Sequence, residues 1–224
     1  MSFREIDMRA DPRSDHFAHF RAMEDPFVTM TVLVCLTDWL PRVKAAGYPF
    51  FLSFQYAVVR AANRVPALRR RIRGEGAVEY DFCNPSYTVA LPDGTYRYCN
   101  VRADLPFERY LRESKRLQEE AVRGAGLTEE GDVQSYFFVS CAPWVHYSAL
   151  QTPRPGADFS IPCFTWGKYA VEKRLALEDG RLVEREEITL PLTLMVNHAL
   201  VDGRHIGQFF AFLEEELPAI FRES

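Results

Sequence analysis

Apolar residues recur along the chain with two periods, and the switches between them mark out a sequence of elements. Residues 27–36 alternate and run apolar like a strand, and Thr37 then reads as the cap of a short helix carrying Trp39, Leu40 and Val43. Gly47 stops that helix. Tyr48-Pro49 restarts a longer apolar one that reaches about Asn63, before Pro66. Residues 68–73 and 77–82 read as a hairpin about Gly74-Glu75-Gly76, with a further strand over 87–91. A strongly amphipathic helix is predicted from Pro106 to Arg123, where Phe107, Tyr110, Leu111 and Leu117 face away from a charged side and Gly124 ends the run. Residues 134–139 form another strand, and Pro143 bends the chain after it. The breaker-rich stretch 151–160 is a surface connection. Residues 168–177 and 181–195 pair across Glu178-Asp179-Gly180. Leucines and β-branched residues over 188–196 suit a buried strand. Ile206, Phe209, Phe210, Leu213 and Leu217 then recur at helical spacing.

Helices and strands are thus interspersed, with no repeat and no low-complexity linker. The pattern predicts one α/β domain over residues 1–224. At 224 residues, 47% of them hydrophobic, the chain can bury a full core. Its net charge of -4 argues against nucleic acid and against anionic membrane surfaces as partners. Arg69-Arg70-Arg71-Ile72-Arg73 is basic but lacks interleaved aromatics, and reads as a solvated strand edge. The five cysteines, Cys35, Cys83, Cys99, Cys141 and Cys163, are odd in number and widely spaced, so they read as reduced core thiols. No stretch approaches the roughly 20 apolar residues of a membrane span, and no secretory leader pattern opens the chain, so a cytoplasmic protein is expected. No metal site is expected either: His16 with His19, and His198 with Asp202 and His205, lack further ligands. The absence of GxSxG, P-loop and GxGxxG patterns disfavours serine hydrolysis, phosphoryl transfer and dinucleotide binding.

Candidate chemistry sits where the last strand hands over to the last helix, at Asn197-His198-Ala199-Leu200-Val201-Asp202-Gly203. His198 followed by Asp202-Gly203 resembles the HxxxDG signature of the chloramphenicol acetyltransferase family and its relatives, the acyltransferase cores of 2-oxo acid dehydrogenase complexes. Further blocks keep the family's order: Arg13-Ser14-Asp15-His16-Phe17, Tyr48-Pro49, residues 84–89, Ser140 with Pro143-Trp144-Val145, and Phe164-Thr165 with Gly167-Lys168-Tyr169. The likeness covers almost the whole chain. It implies a two-layer α/β sandwich, a mixed β-sheet covered by helices.

The resemblance implies transfer of an acetyl group from acetyl-CoA, a co-substrate with no resident cofactor, to a hydroxyl of a small acceptor, without a covalent acyl-enzyme. The residues suit that chemistry. A hydroxyl titrates far above neutrality, so its attack on a thioester needs a positioned base, and neutral imidazole is well poised for it. His198 is therefore the expected base. By the family match Ser140 donates to the oxyanion and Thr165 holds an ordered water, although a lone serine at a strand end is more often a hydrogen-bonded turn residue. Asp202 is expected to pair with Arg13, and Gly203 to serve backbone geometry. Tyr48, Lys168 and Tyr169 match positions lining the CoA route, where each could equally be a surface residue.

Departures from the family cluster near the acceptor. Asn197 stands where relatives often carry a second histidine, Leu150 where an aromatic ring is common, and Phe20 where some have tyrosine. Ala46 replaces a lysine, and the hairpin between Lys168 and His198 is longer than usual. The resemblance also implies a homotrimer with sites at subunit interfaces. Two other functions stay open: a core using a lipoyl thiol, which would call for an attached lipoyl domain and an Ala/Pro-rich linker that the chain does not show, and a non-catalytic trimeric binding scaffold.

Overall fold

In a computed structural model that describes residues 2–124, 131–178 and 180–222, the chain forms two sheets and five α-helices. The elements in order are β1 (Phe3–Ile6), α1 (Ser14–Arg21), β2 (Phe27–Cys35), α2 (Trp39–Ala45), α3 (Phe50–Asn63), β3 (Arg70–Arg73), β4 (Gly76–Tyr80), β5 (Asn84–Ala90), β6 (Tyr96–Asn100), α4 (Phe107–Arg123), β7 (Tyr136–Ala142), β8 (Cys163–Gly167), β9 (Ala170–Glu178), β10 (Arg181–Asn197) and α5 (Gly203–Ala219). Seven strands form the main sheet, ordered β2-β10-β8-β7-β5-β6 with β9 beside the first half of β10. The sheet is mixed, because β5 and β8 both run parallel to β7 and the other pairs are antiparallel.

One face of this sheet carries the apolar residues at alternate positions, as a half-covered strand must. Val139, Phe164, Trp166, Leu192 and Leu194 are buried there. Phe164 packs on Phe209 of α5 with ring centroids 5.1 Å apart, and Trp166 on Phe54 of α3 at 5.1 Å. Trp39 Nε1 donates to the Leu217 carbonyl at 2.8 Å, fixing α2 to the end of α5. The amphipathic α4 turns Tyr110 inward, where its hydroxyl donates to Gln55 Oε1 at 2.6 Å.

Several local expectations are corrected. Thr37 does not cap α2; Asp38 occupies that position without a side-chain cap, and Thr37 Oγ1 instead accepts the Ile188 amide at 3.0 Å. Residues 133–135 make a 3-10 turn, so β7 starts at Tyr136 and runs on to Ala142. The hairpin of β3 and β4 gains β1 on its far side and forms a separate sheet, ordered β1-β4-β3. Of the hairpin's arginines only Arg73 is solvent-exposed, so the block is not simply a solvated edge. Arg71 is fully buried, and its guanidinium donates to the carbonyls of Leu68, Arg70, Gln134 and Tyr136 at 2.7–2.8 Å and to Cys83 Sγ at 3.5 Å. All five of its N–H groups are thereby used, which is the condition for keeping that charge inside. Burial pushes its pKa down from the ordinary value, yet a guanidinium starts so high that it stays protonated. The cysteines are all free, but only Cys83 and Cys99 are buried, and Cys35 is exposed on the edge strand. No helix among the described residues is long and apolar enough to cross a membrane.

Candidate active site

Strand β10 ends at Asn197, and the chain crosses a four-residue turn before Asp202 caps α5. Asp202 Oδ1 accepts the amides of Arg204 at 3.0 Å and His205 at 3.4 Å, satisfying donors that a helix start otherwise leaves unpaired. His205 reciprocates, with Nδ1 accepting the Asp202 amide at 3.2 Å. This is a capping box built with histidine in place of glutamate, and the D-x-x-H spacing was its sequence signal. His205, considered above only as a metal ligand, has this structural task instead. Among the described residues no group of three or more His, Cys, Asp or Glu is placed to hold a metal ion.

Arg13 grips both ends of the turn. Its NH1 contacts Asp202 Oδ2 in an ion pair, and its NH2 donates to the His198 carbonyl at 3.2 Å. Burial alone would raise the Asp202 carboxyl, but the facing His205 and Arg13 outweigh it and hold the pKa below the usual carboxylate range. Burial pulls the His205 imidazole down despite Asp202 beside it. The backbone of His198 is fixed by its amide donating to the Pro26 carbonyl at 2.7 Å. Its ring lies flat on Phe20, centroids 3.9 Å apart and planes 10° from parallel. Nδ1 of that ring is buried and makes no hydrogen bond among the described residues. Asn197 is 3% exposed and uses its whole amide: Nδ2 donates to the carbonyls of Ala157 at 2.7 Å and Phe159 at 3.0 Å, and Oδ1 accepts the Ala199 amide at 3.0 Å. Gly203 has no positive φ, and a Cβ added there would meet no atom within 4 Å. Neither dihedral strain nor close packing within this chain calls for glycine there, which corrects the reason given for it above.

A second cluster lies on the sheet face away from the helices. Register places Ser140 beside Thr165, Thr165 beside Thr193, and Thr193 beside Thr31, so four hydroxyl side chains form one row across β7, β8, β10 and β2. Thr31 and Thr193 share a hydrogen bond of 2.7 Å, and the Tyr147 hydroxyl donates to the Thr165 carbonyl at 2.6 Å and accepts from Thr193 Oγ1 at 3.1 Å. The Ser140 side chain is exposed, and no hydrogen bond of its hydroxyl is found among the described residues. Ser140, Thr165 and Leu150 line a cavity of about 470 Å³ whose walls include Tyr98, Phe138 and Phe159 and no charged side chain. Sequence reading missed Thr31, Thr193 and Tyr147; the signal was threonine at alternate positions of apolar strands.

His198 is not in that cavity's lining. Thr193 is level with Thr165, and the four residues from there to Asn197 advance about 13 Å at roughly 3.3 Å each, with His198 one step further. Proton transfer needs contact within about 3 Å. His198 and Ser140 of one chain therefore do not form one reaction centre.

A further cavity of about 510 Å³ opens at the other end of β8, lined by Lys168, Tyr169, Phe50, Phe51, Trp166 and Pro143 among others. The Lys168 side chain is exposed at its mouth. Gly167 is there for packing: a Cβ would meet the Val145 carbonyl oxygen at 2.5 Å and Pro191 and Tyr147 side chains at 3.0 Å. Tyr48 stays out of this lining, with its hydroxyl donating to Glu108 Oε1 at 2.8 Å and its ring set edge-on to Phe107.

Comparison with known proteins agrees with the fold. The sequence model of the family described as chloramphenicol acetyltransferase matches residues 1–214. A chloramphenicol acetyltransferase of Escherichia coli is 26% identical over 215 residues, covering 94% of this chain and 91% of that protein. One from Clostridium perfringens is 27% identical over 219 residues, covering 96% and 98%. Among solved structures, a chloramphenicol acetyltransferase superposes with a TM-score of 0.76 at 24% identity, covering 96% of this chain and all of that one. A probable dihydrolipoamide acetyltransferase from Listeria monocytogenes shares the fold at 0.65 and 20% identity, covering 92% and 90%. The chain belongs to the chloramphenicol acetyltransferase family and is an acyltransferase.

Proposed function

We propose that the chain transfers an acetyl group from acetyl-CoA to a hydroxyl of a small uncharged acceptor, at sites shared between neighbouring subunits of a homotrimer. His198 of one subunit is the general base for a reaction in the Ser140–Thr165 cavity of the next. The observation that carries this reading is the separation within one chain of the imidazole from the hydroxyl row, by more than about 13 Å along β10. A second subunit brings the two halves together, and excludes water from the thioester as it does so.

The steps follow from the side chains. The His198 imidazole, stacked on Phe20 and anchored through its own amide and carbonyl, takes the proton as the acceptor oxygen attacks the thioester carbon. Charge collects on the former carbonyl oxygen, and the unengaged Ser140 hydroxyl donates to it, a contribution of about 10² to 10³ in rate. Collapse expels the CoA thiolate, which recovers the proton from the imidazolium, so no acyl-enzyme intervenes. Thr165, level with Ser140, holds a water beside the same oxygen. The walls of the 470 Å³ cavity present aromatic, apolar and hydroxyl groups, which suits an uncharged acceptor such as chloramphenicol. Lys168 and Tyr169 give the neighbouring cavity one cation and one ring for the phosphate and adenine of CoA.

The test mixes impaired subunits. His198→Ala and Ser140→Ala proteins, each reduced to at most about a hundredth of wild-type turnover, are unfolded, combined in equal amounts and refolded, and CoA-thiol release is followed with chloramphenicol and with dihydrolipoamide as acceptors. Random assembly gives each shared site about one chance in four of holding both intact residues, so about a quarter of wild-type activity returns. Sedimentation shows about three times the 25.8 kDa chain. An active monomer, or a refolded mixture no more active than the single variants, rejects the shared site. Turnover of dihydrolipoamide alone rejects the hydroxyl acceptor, and an inert wild type rejects catalysis altogether.

A further inference from the structure

The segment from Leu150 to Phe159 contains no helix or strand, yet Leu150, Gln151, Thr152, Pro153, Pro155 and Phe159 form one wall of the Ser140–Thr165 cavity. Four side-chain fastenings hold this roof, the last of them a weak bond from Thr152 Oγ1 to Met195 Sδ at 3.0 Å. Arg154 pairs with Asp25, and Arg21 pairs with Asp158 through Nε to Oδ1 at 3.0 Å and NH2 to Oδ2 at 3.2 Å. Both acidic partners are well exposed, at 58% and 60%, and ion pairs in such settings contribute little and are screened by salt. The third fastening is the Asn197 amide, buried and bonded to the carbonyls of Ala157 and Phe159. Removing it leaves two sheltered carbonyls without a donor, which costs more than either exposed pair.

We propose that Asn197 is a positioning residue for the acceptor cavity, holding its roof at a fixed distance from the signature turn and thereby setting which acceptors fit. The side chain acts in both directions, since Oδ1 accepts the Ala199 amide and so braces the His198 turn while Nδ2 holds Phe159 in the cavity wall. Phe159 is the residue whose place depends most on it: its ring packs against Phe27 and Phe138, with centroids 6.4 and 6.0 Å away. Only a side-chain amide offers two N–H groups and an acceptor at that reach. A neutral histidine, the residue relatives often carry there, has one donor and leaves one roof carbonyl unserved. This chain's cavity shape is therefore tied to its asparagine. The bearing on acceptor choice rests on the acyl-transfer reading; the attachment of the roof does not.

Hydrogen exchange and kinetics separate the two. In Asn197→Ala, amides of residues 151–160 exchange at least about tenfold faster than in wild type, while those of β2 and β8 keep their rates. Asn197→Asp retains the acceptor for Ala199 and loses the donors, so it shows the same roof effect; Asn197→His falls between. With chloramphenicol, the KM for the acceptor rises about tenfold in Asn197→Asp and the KM for acetyl-CoA stays within about twofold. The control is Arg21→Ala combined with Arg154→Ala, which removes both ion pairs with their exposed acids, and in which roof exchange stays within about twofold of wild type. Unchanged roof exchange in the Asn197 variants overturns the proposal, as does a tenfold rise in the arginine double variant. A loosened roof in an enzyme that does not acetylate chloramphenicol faults the assigned acceptor and leaves the attachment standing.

Discussion

Replacing Asp202 with asparagine isolates the role of its charge. Asparagine caps a helix about as well as aspartate, so the bonds to the Arg204 and His205 amides survive the change. What is lost is the ion pair with Arg13 and a negative charge at the start of α5. The pair is partly sheltered, with side-chain exposures of 16% for Arg13 and 34% for Asp202, and after discounting for solvent it contributes no more than about 1 kcal/mol. A carboxylate at a helix N-terminus adds about 0.3 to 1 kcal/mol. The variant should therefore lose about 1 to 2 kcal/mol, read as a lowered urea midpoint at matched protein concentration. The pH dependence has a definite sign. A carboxyl held below its unfolded value of about 3.9 stabilises the fold above that pH and loses the effect as pH falls through the lower, folded value. The gap between wild type and variant is thus full at neutrality and closes in acid. The Asp202 carboxylate bonds to Arg13, Arg204 and His205 and, among the described residues, not to the His198 ring, so turnover should fall less than tenfold once the variant is folded. A loss near 10⁴ at unchanged stability would instead assign Asp202 to orienting the base and refute the argument.

Ser140→Ala should lower kcat by about two to three orders of magnitude with little change in KM, in steady-state CoA release, because the hydroxyl is unengaged until the oxyanion forms. Gly167→Ala should destabilise by about 1 to 3 kcal/mol in denaturant titration, because its Cβ collides with the backbone oxygen of Val145 and the rings of Pro191 and Tyr147. Arg71→Lys should cost about 3 kcal/mol or more, since an ammonium has three N–H groups for the five acceptors now served and remains buried; a thermal scan matching wild type would refute this. Because burial depresses the His205 pKa, the unfolded chain binds a proton below about pH 6.5 that the folded one refuses, so stability falls as pH drops through that window, and His205→Asn flattens the slope.

The elements readable from the sequence were those with strong periodicity. Helices α3, α4 and α5 and strands β2 and β10 carry long apolar patterns, and their predicted limits fall within a few residues of the observed ones. Strands β1, β6 and β8 were missed because each is four or five residues long, and β1 is mostly exposed and β6 only partly covered, so that neither has an apolar run to detect. Arg71 misled the reading because charge was taken as a proxy for solvent, whereas two of its four carbonyl partners come from a segment more than 60 positions away. At the candidate site the sequence named residues but gave no distances. The motif order pointed to His198, Ser140 and Thr165, but only strand register reveals how far apart they lie in one chain. Tyr48 and Gly203 show the same limit from the other side. A matching position carries no information about what surrounds it.

The turn that holds His198 is fastened from the opposite end of the chain, by Arg13 at sequence separations of 185 and 189 residues and by the Pro26 carbonyl. Contacts that distant cannot form early, because closing so long a loop is entropically unfavourable until other structure has drawn its ends together. During synthesis from the N-terminus, α1 must therefore wait with Arg13 unpaired until nearly the last residues arrive. Helical signal should appear in refolding before this turn is assembled. His198 should be among the last residues to reach its place, and recovery of activity should then report completion of the whole fold.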